Sequence, residues 1–383
     1  MSNPSNSLLI IAGETSGDLH GARVLQALRE KHPHVSFFGI GGQRMAAQGQ
    51  EQFYTTKEMA LIGFTEVIRH LPFLLRVFRH LEEEILKRKP DCAVLIDYPG
   101  FNLRLAKTLK KHGVPIVWYI APQVWAWHAS RVHKMARLLD HLAVVFPFEV
   151  PFFENAGLPT TFVGHPLLEV LHPEYERQQF FEKFNLNTDN KILALLPGSR
   201  RQEVMRLLPD MLATAAQIKS RFNDVQIVIA QSPDLDTSIY EDHLQHIKLD
   251  DVKLIQNATY SIMDYSDACI VASGTATLET GCFATPLAVV YRVSPMTYAI
   301  GKRLVKLKNI GLINIVAEEE IVPEFVQHEF TPENVANYIS RLFEEPEYAA
   351  AIKAKLQRVR EKLGEHGAAQ RVAELVSGEA WGN

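Results

Sequence analysis

The sequence predicts an α/β protein of two Rossmann-like parallel-sheet domains that face each other across a cleft, followed by C-terminal helices. Three observations predict it. Strand-like apolar runs alternate with helical ones along the whole chain, the pattern of parallel sheets covered by helices. The same local grammar, an apolar strand, a turn of glycine and small polar residues, then a helix, opens at Leu8 and again at Ile192, roughly half the chain apart. A chain of 383 residues also exceeds one ordinary core and fits two domains of typical size.

In the first half, short β-leaning runs place strands at 8–12, 35–40, 92–97, 116–120, 141–145 and 161–163. Helical spacing fills 22–31, 103–111 and 132–139 between them. In the second half, strands are expected at 192–196, 225–230, 252–254, 268–272 and 287–290. Residues 167–190 are charged and patternless, which sets the expected domains at 1–170 and 190–345. The tail, 346–383, reads as two helices broken near Gly364.

The second of the two openings is Pro197-Gly198-Ser199-Arg200-Arg201. A strand that turns through Gly198-Ser199 into a helix presents free main-chain N–H groups and the positive end of the helix dipole, a seat for an anion. Arg200 and Arg201 add guanidinium groups that can grip a phosphate with two bonds. An ordinary βα turn with two solvated arginines fits the stretch equally well, and the repeated grammar at Gly13-Glu14-Thr15-Ser16-Gly17-Asp18 tips the balance towards the anion. Ser273-Gly274-Thr275-Ala276-Thr277-Leu278-Glu279 is a further strand–turn–helix in the same half. Its amides and hydroxyls suit a diphosphate, and Glu279, one turn in, could accept from both hydroxyls of a ribose. Taken alone it also reads as a serine N-cap with a favourable acid in the first turn.

Asp97 ends the apolar run 93–96 and precedes Tyr98-Pro99-Gly100-Phe101-Asn102. A carboxylate at the carboxyl end of a parallel strand faces the ligand crevice of an open sheet, where it could take a proton from a hydroxyl nucleophile. A turn-capping aspartate reads the same way. Trp125 and Trp127, after the strand at 116–120, suit a sugar face, an acyl chain or simple packing. Gly39-Ile40-Gly41-Gly42 approaches a dinucleotide fingerprint and fails, because Arg44 stands where the third glycine belongs. Asp234 and Asp236 form an Asp-x-Asp with no further ligand in reach, so a solvated turn is the expectation. No G-x-S-x-G or H-E-x-x-H occurs.

Residues 62–86 are more apolar than a sheet-covering helix needs, yet carry Arg69, Arg76 and Arg79, with Pro72 expected to break the helix in two. A basic, interrupted, amphipathic helix is the mark of a segment lying in a membrane interface, here through Ile68, Leu71, Leu74 and Leu75. The competing reading is a buried core helix, against which stands the difficulty of burying three arginines. The stretch 298–308 repeats this basic-apolar character on a smaller scale. A net charge of −4 gives no global sign of nucleic acid. Cys92, Cys269 and Cys282 are isolated and fit a reducing cytoplasm. The expectation is a protein that is cytosolic, or that lies on a membrane without crossing it.

Taken together, Gly13 to Asp18, Asp97 to Asn102, Pro122 to Trp127, Leu196 to Arg200 and Ala272 to Glu279 resemble the bacterial lipid-A-disaccharide synthase family, essentially end to end. Each motif is weak alone; their order and spacing are specific. Two departures are Thr15, where the family more often has Ala or Ser, and Ile313-Asn314 in place of its Pro-Asn pair. The resemblance implies a two-domain, inverting glycosyltransferase. The implied donor is UDP-2,3-diacylglucosamine and the acceptor is 2,3-diacylglucosamine 1-phosphate (lipid X). The implied products are UDP and a β-1,6-linked disaccharide 1-phosphate, on the pathway to lipid A.

By that resemblance Asp97 is the base for the acceptor's 6-hydroxyl. Gly198, Ser199 and Arg200, with Ser273, Gly274, Thr275 and Thr277, hold the UDP diphosphate, and Glu279 holds the ribose. Glu14, Ser16 and Asn314 line the crevice. No metal or other cofactor is implied. The expected setting is the cytoplasmic face of the inner membrane, and a homodimer is compatible with it. A nucleotide-sugar epimerase of the same architecture and a non-enzymatic, membrane-associated nucleotide-binding module are the alternatives.

Overall fold

Runs that are apolar on both sides of the pleat become strands buried on both faces, as in Ser7–Ala12 and Cys92–Ile96, where every residue is buried. The computed structural model describes residues 6–60, 67–124, 131–247, 249, 251–294, 298 and 308–382, with the side chains of 60 and 67–71 left out. It divides into two units, Met1–Glu169 with Leu363–Asn383, and Val170–Lys362.

The first unit holds β1 (Ser7–Ala12), β2 (Ser36–Gly41), β3 (Gln50–Thr55), β4 (Cys92–Ile96), β5 (Ile116–Tyr119), β6 (His141–Val144) and β7 (Thr160–Phe162). They form one parallel sheet in the order β3-β2-β1-β4-β5-β6-β7. The chain winds outward in one direction from β1 and in the other from β4, so a crevice opens between the carboxyl ends of these two strands. Their register places Ala12 beside Ile96, which brings the turns after them together.

Helices Val67–Arg88 and Pro99–Lys111 share a core with Leu9, Ile11, Phe38 and Leu95. Helix Thr15–Lys31 packs instead against the last helix, Ala368–Trp381, whose Val372, Ala373 and Val376 are buried. The two C-terminal helices therefore part company: Pro346–Lys362 belongs to the second unit and Ala368–Trp381 to the first. The apolar stripe of the last helix is what ties it to the first sheet.

Helix Val67–Arg88 departs from the sequence expectation in two respects. It runs unbroken through Pro72, which near the start of the helix forfeits one main-chain bond. Leu74 is a core residue, only 8 % exposed, on one stripe with Val77, Leu81 and Ile85. Arg76 and Arg79 lie exposed on the other side, so neither of these two arginines has to be buried. Leu75 is 56 % exposed beside them and stays available to a surface. The side chains of Ile68 and Leu71 lie outside the described residues. Leu74→Ala is thus expected to cost about 2–5 kcal/mol in a thermal or urea melt, and Leu75→Ala less than about 0.5. Equal effects would show that the stripe is misassigned. Among the described residues no helix is long and apolar enough to cross a membrane.

The second unit holds β8 (Lys191–Leu196), β9 (Val225–Gln231), β10 (Lys253–Gln256), β11 (Ala268–Ala272), β12 (Leu287–Tyr291) and β13 (Glu324–Val326). They too are all parallel, in the order β10-β9-β8-β11-β12-β13. The reversal here falls between β8 and β11, which pair with Leu196 beside Val271. The stretch 167–190 is less featureless than its sequence suggests. It contains a short helix, Arg177–Lys183, that buries Phe180 and Phe181.

Candidate active site

In the second unit the turns after β8 and β11 sit side by side at the reversal point and wall a cavity of about 380 Å³. Gly198, Ser199, Arg200, Ser273, Gly274, Thr275 and Glu279 all line it. Gly198 takes φ +103°, and a side chain there would press its Cβ to 2.5 Å from Glu203 Oε2. The positive φ is what calls for glycine in this turn, since the Glu203 carboxylate can swing aside. Arg200 is the N-cap residue of helix Arg201–Arg221. Glu203 accepts from the Arg200 main-chain N–H at 3.3 Å and from its Nη1 at 3.0 Å. The guanidinium is 82 % exposed, so the Glu203 contact is weak and the group is free to turn to an anion.

Across the cavity, Gly274 precedes helix Thr275–Cys282, and first-turn amides such as those of Thr275 and Ala276 have no acceptor within the helix. Ser273 lines the cavity, but its hydroxyl already donates to the carbonyl of Ile310 at 3.0 Å. Glu279 is held above the usual carboxylate range by burial, an effect that a hydrogen bond from the Tyr260 hydroxyl at 3.4 Å opposes. A part-desolvated acceptor one turn above two open amides can hold a diol while the amides hold a diphosphate.

Two residues expected at the ligand sit elsewhere. Thr277 is wholly buried beneath the turn and donates to the Gly274 carbonyl at 2.9 Å. Asn314 is wholly buried too, with both ends of its amide satisfied. It donates to the Val322 carbonyl and to Glu324 Oε1, each at 2.8 Å, and accepts from the main-chain N–H groups of Ile321 and Val322. Glu324 in turn accepts from the N–H groups of Ile310 and Gly311. Asn314 therefore clamps the backbone that supports Ser273 and does not line the cavity.

In the first unit Asp97 follows β4 at the reversal point, and Glu14 and Ser16 follow β1, both exposed. Burial, and then the charge of Glu14, push the Asp97 carboxyl up to about 6, against a lowering bond from the Tyr98 main chain. A carboxylate poised there is suited to accept a proton near neutral pH. The Tyr98 ring lies over Gly13 so closely that any Cβ at 13 would overlap it.

The glycine turn at 39–42 has an internal explanation. Asp18 accepts from the N–H groups of Gly42 at 2.7 Å, Met45 at 3.0 Å and Arg44 at 3.2 Å, filling with a carboxylate the seat a phosphate would take. Asp236 accepts from the Ser238 N–H at 2.9 Å, a local turn contact. Among the described residues no three His, Cys, Asp or Glu side chains converge as a metal ion would need. Trp125 and Trp127, and most of 298–308, lie outside the described residues. Residues the sequence reading passed over include Glu203, Tyr260 and, at the end of β9, Gln231 and Ser232, which also line the cavity. Glu203 was the findable one, three residues after an N-cap, where a capping acid belongs.

Comparison with known proteins identifies the family. A family model described as lipid-A-disaccharide synthetase matches residues 8–377. The lipid-A-disaccharide synthase of Geobacter sulfurreducens is 42 % identical over 98 % of this chain and 97 % of its own length. That of Trichlorobacter lovleyi is 43 % identical over 96 % of each chain, and that of Myxococcus xanthus 40 % identical over 98 % of each. Among solved structures, the calicheamicin glycosyltransferase aligns over 98 % of both chains with a TM-score of 0.62 at 15 % identity. The UDP-GlcNAc 2-epimerase of Neisseria meningitidis aligns over 96 % of this chain and 98 % of its own with a TM-score of 0.61 at 13 % identity. At such identities these two speak to the fold alone. The near-complete match at about 40 % identity speaks to the family, and the chain belongs to the lipid-A-disaccharide synthases, which are glycosyltransferases.

Proposed function

We propose that the chain joins UDP-2,3-diacylglucosamine to 2,3-diacylglucosamine 1-phosphate with Asp97 as general base and the second unit's cavity as the donor site. The observation that carries this reading is the Asp97 carboxyl, half-buried at the end of β4 where the strand order reverses, and pushed up to about 6. The acceptor's 6-hydroxyl gives its proton to Asp97 as its oxygen bonds to C1 of the donor sugar. The bond from C1 to the diphosphate breaks with inversion, and UDP leaves. Charge grows on the leaving diphosphate, where the Gly198-Ser199 turn, Arg200 and the open amides at Thr275 and Ala276 receive it. Glu279 accepts from the ribose hydroxyls. Glu14 and Ser16 line the acceptor side of the first unit, with Glu14 sustaining the basicity of Asp97.

Both substrates are acylated, so the enzyme works as a peripheral protein on the cytoplasmic face of the inner membrane. Exposed Leu75 supports this, next to Arg76 and Arg79, with apolar side chains free to insert while arginines meet lipid phosphates. Leu74 is withdrawn from that face. Replacing Leu75 with Ser is expected to reduce sedimentation with anionic vesicles while the melt is unchanged; undiminished binding would place the surface elsewhere. The reaction itself is tested by incubating the protein with UDP-2,3-diacylglucosamine alone and then with acceptor. Release of UDP only with acceptor is expected. Loss of UDP without acceptor would favour the epimerase.

A further inference from the structure

The loop after β4 holds two consecutive non-glycine residues in the left-handed region, Asp97 at φ 44° and Tyr98 at φ 50°. Residues with a Cβ enter that region at a cost, and they stay there only where the surroundings enforce it. Asn102 is the side chain that does so. It is wholly buried, and its Nδ2 donates to the carbonyl of Asp97 at 2.7 Å and to that of Ile96 at 3.3 Å. Its main-chain N–H also donates to the Tyr98 carbonyl at 3.1 Å, while the Asp97 N–H donates to Tyr119 on β5 at 3.0 Å. The peptide units on both sides of Asp97 are thereby held to one buried amide.

The other end of that amide tells the same story. Asn102 Oδ1 is buried and accepts no hydrogen bond. Leaving a buried acceptor unpaired detracts from stability, so stability alone does not account for an asparagine here. What only its nitrogen supplies is a pair of donors aimed at the carbonyls of Ile96 and Asp97.

We propose that Asn102 is a positioning residue for the transfer reaction: by holding these two carbonyls it fixes the left-handed turn that keeps the Asp97 carboxylate half-buried and within the field of Glu14. The inference rests on the reading of Asp97 as the base. Glu14, from the turn after β1, is the charged group that bears on Asp97, and the Tyr98 main chain is its donor. Without the amide the turn relaxes towards ordinary backbone, the carboxylate moves into water, and both influences fade.

The experiment measures Asn102→Ala and Asn102→Ser beside Asp97→Asn, taking kcat against pH, KM for both substrates, UDP affinity by calorimetry and a thermal melt. For Asn102→Ala the expected result is a kcat lowered about 10–100-fold with UDP affinity unchanged, since a misplacement of about 1 Å costs on that order. The acid limb of its pH profile moves from about 6 towards the ordinary value of 3.8. Asn102→Ser, which keeps one donor, recovers part of both. A wild-type kcat and limb in Asn102→Ala overturns the inference. So does a reduced kcat whose limb has not moved, because a loss of folded protein lowers the amplitude without shifting the limb. If the alanine variant does not fold, the limb of the serine variant decides. Should Asp97→Asn itself keep its turnover, the base assignment has failed and Asn102 falls with it. A dead Asp97→Asn beside a normal Asn102→Ala fails the positioning role alone.

Discussion

Asp97→Asn is expected to lower turnover by about 10²–10⁴-fold, the usual loss when a general base is removed, with UDP affinity unchanged. In the parent protein the acid limb of activity should fall near pH 6, since burial and Glu14 raise the Asp97 carboxyl from 3.8 to about 6. Activity is full above that value and drains away as the group takes up its proton below it. Stability runs the other way. A carboxyl whose folded value is raised contributes stability that is intact below 3.8 and is lost as pH rises through about 6. Asparagine stays neutral, so the variant should melt higher than the parent at pH 8, by up to about 3 kcal/mol, and show no such gain at pH 3. A variant both inactive and more stable at high pH fits a strained, functional carboxylate. Near-normal turnover with saturating substrates would remove Asp97 as the base.

Arg200→Ala should weaken UDP binding about 10- to 100-fold, since a charge-assisted contact is worth roughly 1.5–3 kcal/mol. Glu279→Ala should do the same for a different reason, and a second probe tells them apart. With inorganic diphosphate, which has no ribose, Arg200→Ala still loses affinity and Glu279→Ala does not. Calorimetry on the two variants with both ligands reads all four outcomes. Unchanged UDP affinity in both would mean that the nucleotide does not occupy this cavity. Loss of diphosphate binding in Glu279→Ala would place its carboxylate at the phosphates rather than the sugar.

Much of the fold was legible because central parallel strands are apolar on both faces, as in Ile192-Leu193-Ala194-Leu195-Leu196. The strands the reading missed are β3 and β13, both at sheet edges. Edge strands carry residues such as Gln50, Gln52 and Glu324 and lack that apolar signal. At the site, backbone features were legible: glycine at 198, open amides at 275, a carboxylate ending β4. Side-chain direction was not. Nothing in the sequence tells that the Thr277 hydroxyl turns down to Gly274 or that Asn314 spends its amide on 321–324. Leu74 was misplaced for a related reason. Every large residue between 71 and 78 except Arg76 is apolar, so the buried stripe is set only by the helix's rotation against its sheet, which Val77, Leu81 and Ile85 fix.

The parting of the two C-terminal helices bears on how the chain acquires its structure during synthesis. Residues 170–362 form one unit without interruption, whereas the first unit draws on both 1–169 and 363–383. As the chain emerges from the ribosome, the second unit has all its parts before helix Ala368–Trp381 exists. Until then helix Thr15–Lys31 lacks the helix that packs against it in the finished protein. The half that is translated first is therefore completed last, and its first helix waits through most of the synthesis for the partner that covers it.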